Sequence, residues 1–146
     1  MELADSCSNY EHPPAIWRHD GSNRGGSKLM GRLTTHVLDL TTGKPAQGLE
    51  IELWSLEDDT SVHLKTVQTN EDGRVDEPLL KGSVLVTGIY ELRFKAGEYL
   101  SRQGLTLPDP LFLDIILIRF GVAEPDSDYH IPLLLSAYGY STYRGG

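Results

Sequence analysis

Cysteine is nearly missing from this chain: Cys7 is the one example in 146 residues, so no internal disulfide framework can form. No apolar run approaches the ~20 residues needed to span a bilayer, and no secretory hydrophobic segment opens the chain. Basic residues are outnumbered, 13 Lys and Arg against 21 Asp and Glu, for a formal net charge of −8. That balance argues against nucleic acid as the main partner, because a phosphate-binding surface needs a basic patch. A small anionic ligand stays open, since a local arginine cluster can outweigh the global field. There is no Gly-x-Ser-x-Gly elbow, no phosphate loop and no dinucleotide fingerprint. These absences leave a soluble domain with no membrane partner and with the cytoplasm as its default compartment.

What is present is ordinary globular composition, 39% hydrophobic and 23% charged, in a length that suits one domain with a real core. Residues 1–30 stand apart. Pro13-Pro14, Gly21, Gly25-Gly26 and several Ser and Asn give them no sustained period, so they read as a flexible leader or linker. Residues 31–146 then form the expected folded unit.

From Gly31 the pattern is β. Strands are expected over Leu33–Asp39, Leu49–Leu56, Val62–Thr69, Ile89–Lys95, Leu111–Phe120 and Tyr129–Ser136. Turn signals divide them: Thr42-Gly43-Lys44-Pro45, the acidic Glu57-Asp58-Asp59 and Asn70-Glu71-Asp72-Gly73. Lys81–Thr87 is the one short helical candidate. Such spacing predicts an all-β sandwich.

Alternation sorts the faces. Leu33, Thr35 and Val37 share one side of their strand, and Ile131, Leu133 and Leu135 one side of theirs. With those sets inward, His36 and His130 point out of the sandwich, accompanied by Leu38 and Leu134. Outward apolar residues at that density predict an interface with another subunit.

His36 and His130 are the natural acid/base candidates, because imidazole titrates near neutral pH. Each taken singly reads first as a structural histidine with its hydrogen bonds satisfied. No His pair has the close spacing of common zinc sites, and Cys7 lies in the leader, so neither a metal nor a cofactor is expected. His63 reads as a surface residue. Arg74, after the Asp72-Gly73 turn, is either a surface ion-pair partner or a planar donor fork for a carbonyl or anionic ring. The tail Tyr140-Ser141-Thr142-Tyr143-Arg144-Gly145-Gly146 follows an apolar strand and is expected to be anchored, although termini usually fray.

Three segments taken together are more specific. Leu33-Thr34-Thr35-His36-Val37-Leu38-Asp39, Thr69-Asn70-Glu71-Asp72-Gly73-Arg74, and Tyr129–Ser136 leading into Tyr143-Arg144-Gly145 resemble the transthyretin-related proteins, in their 5-hydroxyisourate hydrolase branch. The resemblance implies a transthyretin-like sandwich of about eight strands with one short helix, assembled as a homotetramer whose sites lie between dimers. It implies hydrolysis of 5-hydroxyisourate to 2-oxo-4-hydroxy-4-carboxy-5-ureidoimidazoline in urate degradation. It assigns catalysis to His36, Arg74 and His130, and substrate binding to Tyr143, Arg144 and Gly145. The chain departs from the family's terminal Tyr-Arg-Gly-Ser at Gly146. Loss of one neutral hydrogen bond there costs about 0.5–1.5 kcal/mol, so weakened or unchanged activity is expected, not abolition. Eukaryotic relatives can be peroxisomal, but no Ser-Lys-Leu terminus is present. The alternative on the same sandwich is a small-ligand carrier without catalysis.

Overall fold

Alternating apolar residues decide the architecture. The structure, a computed structural model, describes residues 30–146; the expected leader lies outside the described residues except for Met30. Nine strands and one α-helix follow in order: β1 (Arg32–Asp39), β2 (Lys44–Pro45), β3 (Glu50–Glu57), β4 (Thr60–Gln68), β5 (Leu80–Lys81), β6 (Gly88–Lys95), α1 (Ala96–Ser101), β7 (Ile115–Val122), β8 (Tyr129–Leu135) and β9 (Tyr140–Thr142). One sheet runs β2-β1-β8-β9, with β5 also paired to β1; the other runs β4-β3-β6-β7. Their inner faces close on one core.

The expected faces are the observed ones. Leu33, Val37, Leu133 and Leu135 from the first sheet meet Ile51, Leu53, Leu92 and Phe94 from the second, all fully buried. Each such side chain contributes about 1.5–3 kcal/mol through its removal from water. Ile116 and Ile118 turn inward from β7, whereas Ile115 and Leu117 remain about half exposed, so that strand is apolar on both sides. Among the described residues no helix is long and apolar enough to cross a membrane.

The helical candidate needs correction. Within 81–87 the chain forms part of β5 and a single 3-10 turn, Gly82–Val84. Gly82 takes φ +67°, and the β-branched Val84, Val86 and Thr87 disfavour helix. The α-helix is Ala96–Ser101, immediately after β6, and it buries Ala96, Gly97, Tyr99 and Leu100. Tyr99 donates its hydroxyl proton to Asp39 Oδ2 at 2.7 Å, both residues being buried. The helix is thereby tied to the end of β1, the strand that carries His36. Burial and the Asp39 carboxylate together hold the Tyr99 phenol well above its ordinary range.

The joint between β1 and β8 matters most for function. They pair in parallel, Thr34 beside His130 and His36 beside Pro132, with Thr35 Oγ1 donating to the Ile131 carbonyl at 2.7 Å. Parallel neighbours cannot be joined by a tight turn, so segments from opposite ends of the fold become adjacent here.

Candidate active site

On the outer face of that joint lies a cleft of about 450 Å³ lined by Arg32, Thr34, His36, Arg74, Asp128, His130, Pro132, Tyr143 and Gly146. Its position follows from strand period. Residues Leu33, Thr35 and Val37 fill the core, so Thr34 and His36 must face outward, and His130 joins them from β8. The two imidazole rings sit 6.5 Å apart between centroids, tilted by 33°.

Arg74 reaches this face through the Asn70–Gly73 turn. Asn70 Oδ1 accepts from the backbone N–H of Asp72 at 2.9 Å and of Arg74 at 3.2 Å. Gly73 takes φ +71°, and its carbonyl accepts from Val37 N–H at 2.9 Å. A Cβ at that glycine would collide with the Val37 carbonyl, so only glycine permits this approach. The result is a bridge that sets Arg74 beside His36.

The tail is anchored, as expected. Strand β9 pairs with β8, Thr142 Oγ1 donates to the Pro132 carbonyl at 2.8 Å, and Gly145 N–H donates to the His130 carbonyl at 2.8 Å. Gly145 lies so close to the His130 ring that an added Cβ would strike Cδ2. Tyr143 thereby forms part of the cleft wall.

Arg144 takes a different place. Its guanidinium lies 4.3 Å over the Tyr129 ring and donates to the Asp128 carbonyl at 3.2 Å, lining a neighbouring cleft of about 390 Å³ instead. The structure thus brings His36, Arg74, His130 and Tyr143 together, sets Gly145 against a histidine, and directs Arg144 to bracing the tail. His63 is exposed, in contact with Trp54 and Thr66, away from this cleft.

Both histidines are held below their ordinary value of 6.5. For His36 burial is the larger cause and Arg74 the second, opposed by a backbone hydrogen bond at Asp72. For His130 the causes are burial, then Arg74, then His36. Near neutral pH the cleft therefore holds neutral imidazoles beside a fixed cation. Neutral imidazole accepts protons, and a guanidinium fork binds carbonyl oxygens. Among the described residues, no group of three or more His, Cys, Asp or Glu is placed to hold a metal ion.

Thr34, Arg32 and Asp128 line the cleft without having been singled out in the sequence. Alternation puts Thr34 on the His36 face; the Arg32 N–H bond to Asp128 Oδ1, 3.1 Å, depends on a pairing between remote segments. Asp128 had no local signal.

Fold and cleft together define a transthyretin-like β-sandwich with a site equipped for proton transfer. The HIUase/Transthyretin family model matches residues 33–145, and the chain belongs to that family. It is 59% identical over 115 residues to 5-hydroxyisourate hydrolase 2 of Rhizobium meliloti, covering 79% of this chain and 96% of that protein. A solved structure of (S)-allantoin synthase is 41% identical with a TM-score of 0.77, covering 81% of this chain and 44% of that one. The 5-hydroxyisourate hydrolase structure from Klebsiella pneumoniae is 29% identical with a TM-score of 0.65, covering 80% of this chain and 100% of that one.

Proposed function

We propose that this protein hydrolyses 5-hydroxyisourate, with His36, Arg74 and His130 as its catalytic residues. The observation that carries the reading is the meeting of two imidazoles and one guanidinium in a single solvent-reachable cleft, where burial and the guanidinium both disfavour protonation of the imidazoles. The similarity to named 5-hydroxyisourate hydrolases over most of their length supports the same substrate.

Ring opening needs water delivered to a carbonyl carbon and a proton delivered to the departing ring nitrogen. One imidazole accepts the water's proton as its oxygen bonds to the carbon. The ring C–N bond then breaks, and the departing nitrogen's electron pair takes the proton that the imidazole had accepted, returning the imidazole to its neutral form. Positioning supplies much of the acceleration, and proton transfer typically adds about 10²–10⁴-fold. Arg74 binds the substrate's carbonyl oxygens and stabilises charge as it develops there. Tyr143 closes the wall, Gly145 admits the tail against His130, and Arg144 braces that tail.

A homotetramer and cytoplasmic residence belong to the same reading. Outward apolar residues support the assembly: Leu40, Tyr138 and Tyr140 are exposed on the sheet that bears the cleft, its strands and the loops at their ends. Burying such a surface against another copy is favourable. Sedimentation velocity tests it, with a mass near four chains expected and a monomer opposing it.

Activity is tested by ultraviolet absorbance after urate oxidase generates fresh 5-hydroxyisourate. Faster decay with this protein supports the enzyme. Unchanged decay favours a carrier on the same fold.

A further inference from the structure

Thr34 sits directly beside His130 in the parallel β1–β8 ladder, and its Oγ1 lies 2.8 Å from the ring's Nδ1. A threonine is at home in almost any strand, so the residue type alone signals nothing. The comparison with its neighbour is informative. Thr35 points inward and donates to a backbone carbonyl, a purely structural bond, whereas Thr34 commits its hydroxyl to a ring nitrogen in the cleft.

With Nδ1 engaged, Nε2 is the one polar atom of the ring left for water or substrate. A hydroxyl can donate to Nδ1 or accept from it, and the two choices give opposite chemistry. If Thr34 donates, Nε2 carries the proton and cannot act as a base. If Thr34 accepts, Nδ1 carries the proton and Nε2 keeps its lone pair. Arg74 lines the same cleft, and its positive charge disfavours a second positively polarised hydrogen on the nitrogen that faces the cavity. Gly145, packed against Cδ2, prevents the ring from swinging away.

We propose that Thr34 is a positioning residue: its hydroxyl accepts the Nδ1–H of neutral His130 and holds the tautomer whose Nε2 lone pair faces the cleft. The consequence for catalysis rests on the hydrolase reading above; the tautomer itself does not. It explains why a polar β-branched residue stands on the outer face of β1 at the register position of His130.

The test uses the full chain labelled with 15N-histidine, at about pH 8 where free imidazole is neutral. His130 is assigned by comparison with His130→Gln. The wild type is expected to show a protonated Nδ1 and an unprotonated Nε2 at His130. Thr34→Val should shift that pattern toward the other tautomer and lower kcat roughly tenfold, as for loss of one neutral hydrogen bond. KM should stay within about twofold, because binding is not what is lost. Thr34→Ser should restore both signals. A wild type carrying its proton on Nε2 would overturn the proposal, even if Thr34→Val fails to fold. So would a folded Thr34→Val with unchanged tautomer and rate, or a Thr34→Ser as slow as Thr34→Val. A wild type with no hydrolysis would remove the enzyme reading, while the nitrogen spectrum would still decide the role of Thr34.

Discussion

His36 and His130 come from opposite ends of the domain, yet their rings lie 6.5 Å apart on one face of a parallel strand pair. Neither side chain supports the core. Their removal should therefore affect chemistry far more than folding. His36→Ala or His130→Ala is expected to lower the hydrolysis rate at least about 100-fold, the lower end for general acid–base groups. Circular dichroism and sedimentation should be unchanged. Wild-type rates from both variants would remove the histidines from the mechanism.

The pH dependence follows from the depressed histidines. Burial and Arg74 keep both imidazoles neutral below their ordinary 6.5. The acid limb of kcat/KM is therefore expected below that value. Arg74→Gln removes the cation, lets both groups bind protons more readily, and should move the limb upward as well as slowing turnover. The linkage has the same sign for stability. The unfolded chain takes up protons as pH falls through about 6.5 while the folded cleft resists, so stability declines over that window and levels off below the folded values. Urea midpoints across the window, for wild type and the double variant His36→Ala/His130→Ala, measure the share these groups contribute. A limb unmoved in Arg74→Gln would count against the electrostatic account.

Gly145 is where the tail meets the imidazole. Gly145→Ala places a methyl group against His130 Cδ2, so either the ring or the tail must move. A displacement of this kind can cost on the order of 10–100-fold in rate, because catalysis depends on sub-ångström placement. Stability should change little, since the tail lies outside the core. Activity and a urea midpoint measured on the same sample separate the two effects. A variant at the wild-type rate would mean that the close approach is incidental.

Much of this was legible in the residues, and the exceptions have physical causes. Strands β1, β6 and β8 were visible because inward residues recur at every second position along them. Strands β3 and β4 showed instead as short segments bounded by turn signals, β4 being exposed along nearly its whole length. The two-residue strands β2 and β5 carry no period at all. Helix α1 spans six residues, under two turns, and has no side-chain cap to announce it. Alternation placed His36 and His130 on the outer face, but their meeting depends on which remote strands pair, a tertiary choice. The three motifs supplied that through resemblance. Arg144 was the least legible site residue: its sequence neighbours enter the cleft wall or touch His130, while it turns to Tyr129.

The Tyr99–Asp39 bond connects α1 to the strand that carries His36, and it can be broken without touching the cleft. Tyr99→Phe removes the hydroxyl that donates to Asp39 Oδ2 at 2.7 Å. Asp39 keeps the Thr41 N–H at 2.8 Å on its other oxygen, so the carboxylate is left half-served in a buried setting. Such a loss costs about 1–3 kcal/mol, which urea denaturation should read as a lower midpoint with an unchanged slope. Because Asp39 ends β1 and His36 stands within it, strand register, not the bond itself, determines what happens to catalysis. Seven Cα pairs with β8 hold that register from Leu33 to Asp39. The rate at a temperature well below the transition should therefore stay near wild type. A variant that folds stably yet loses activity would show that the helix anchor sets the His36 position, against the register argument.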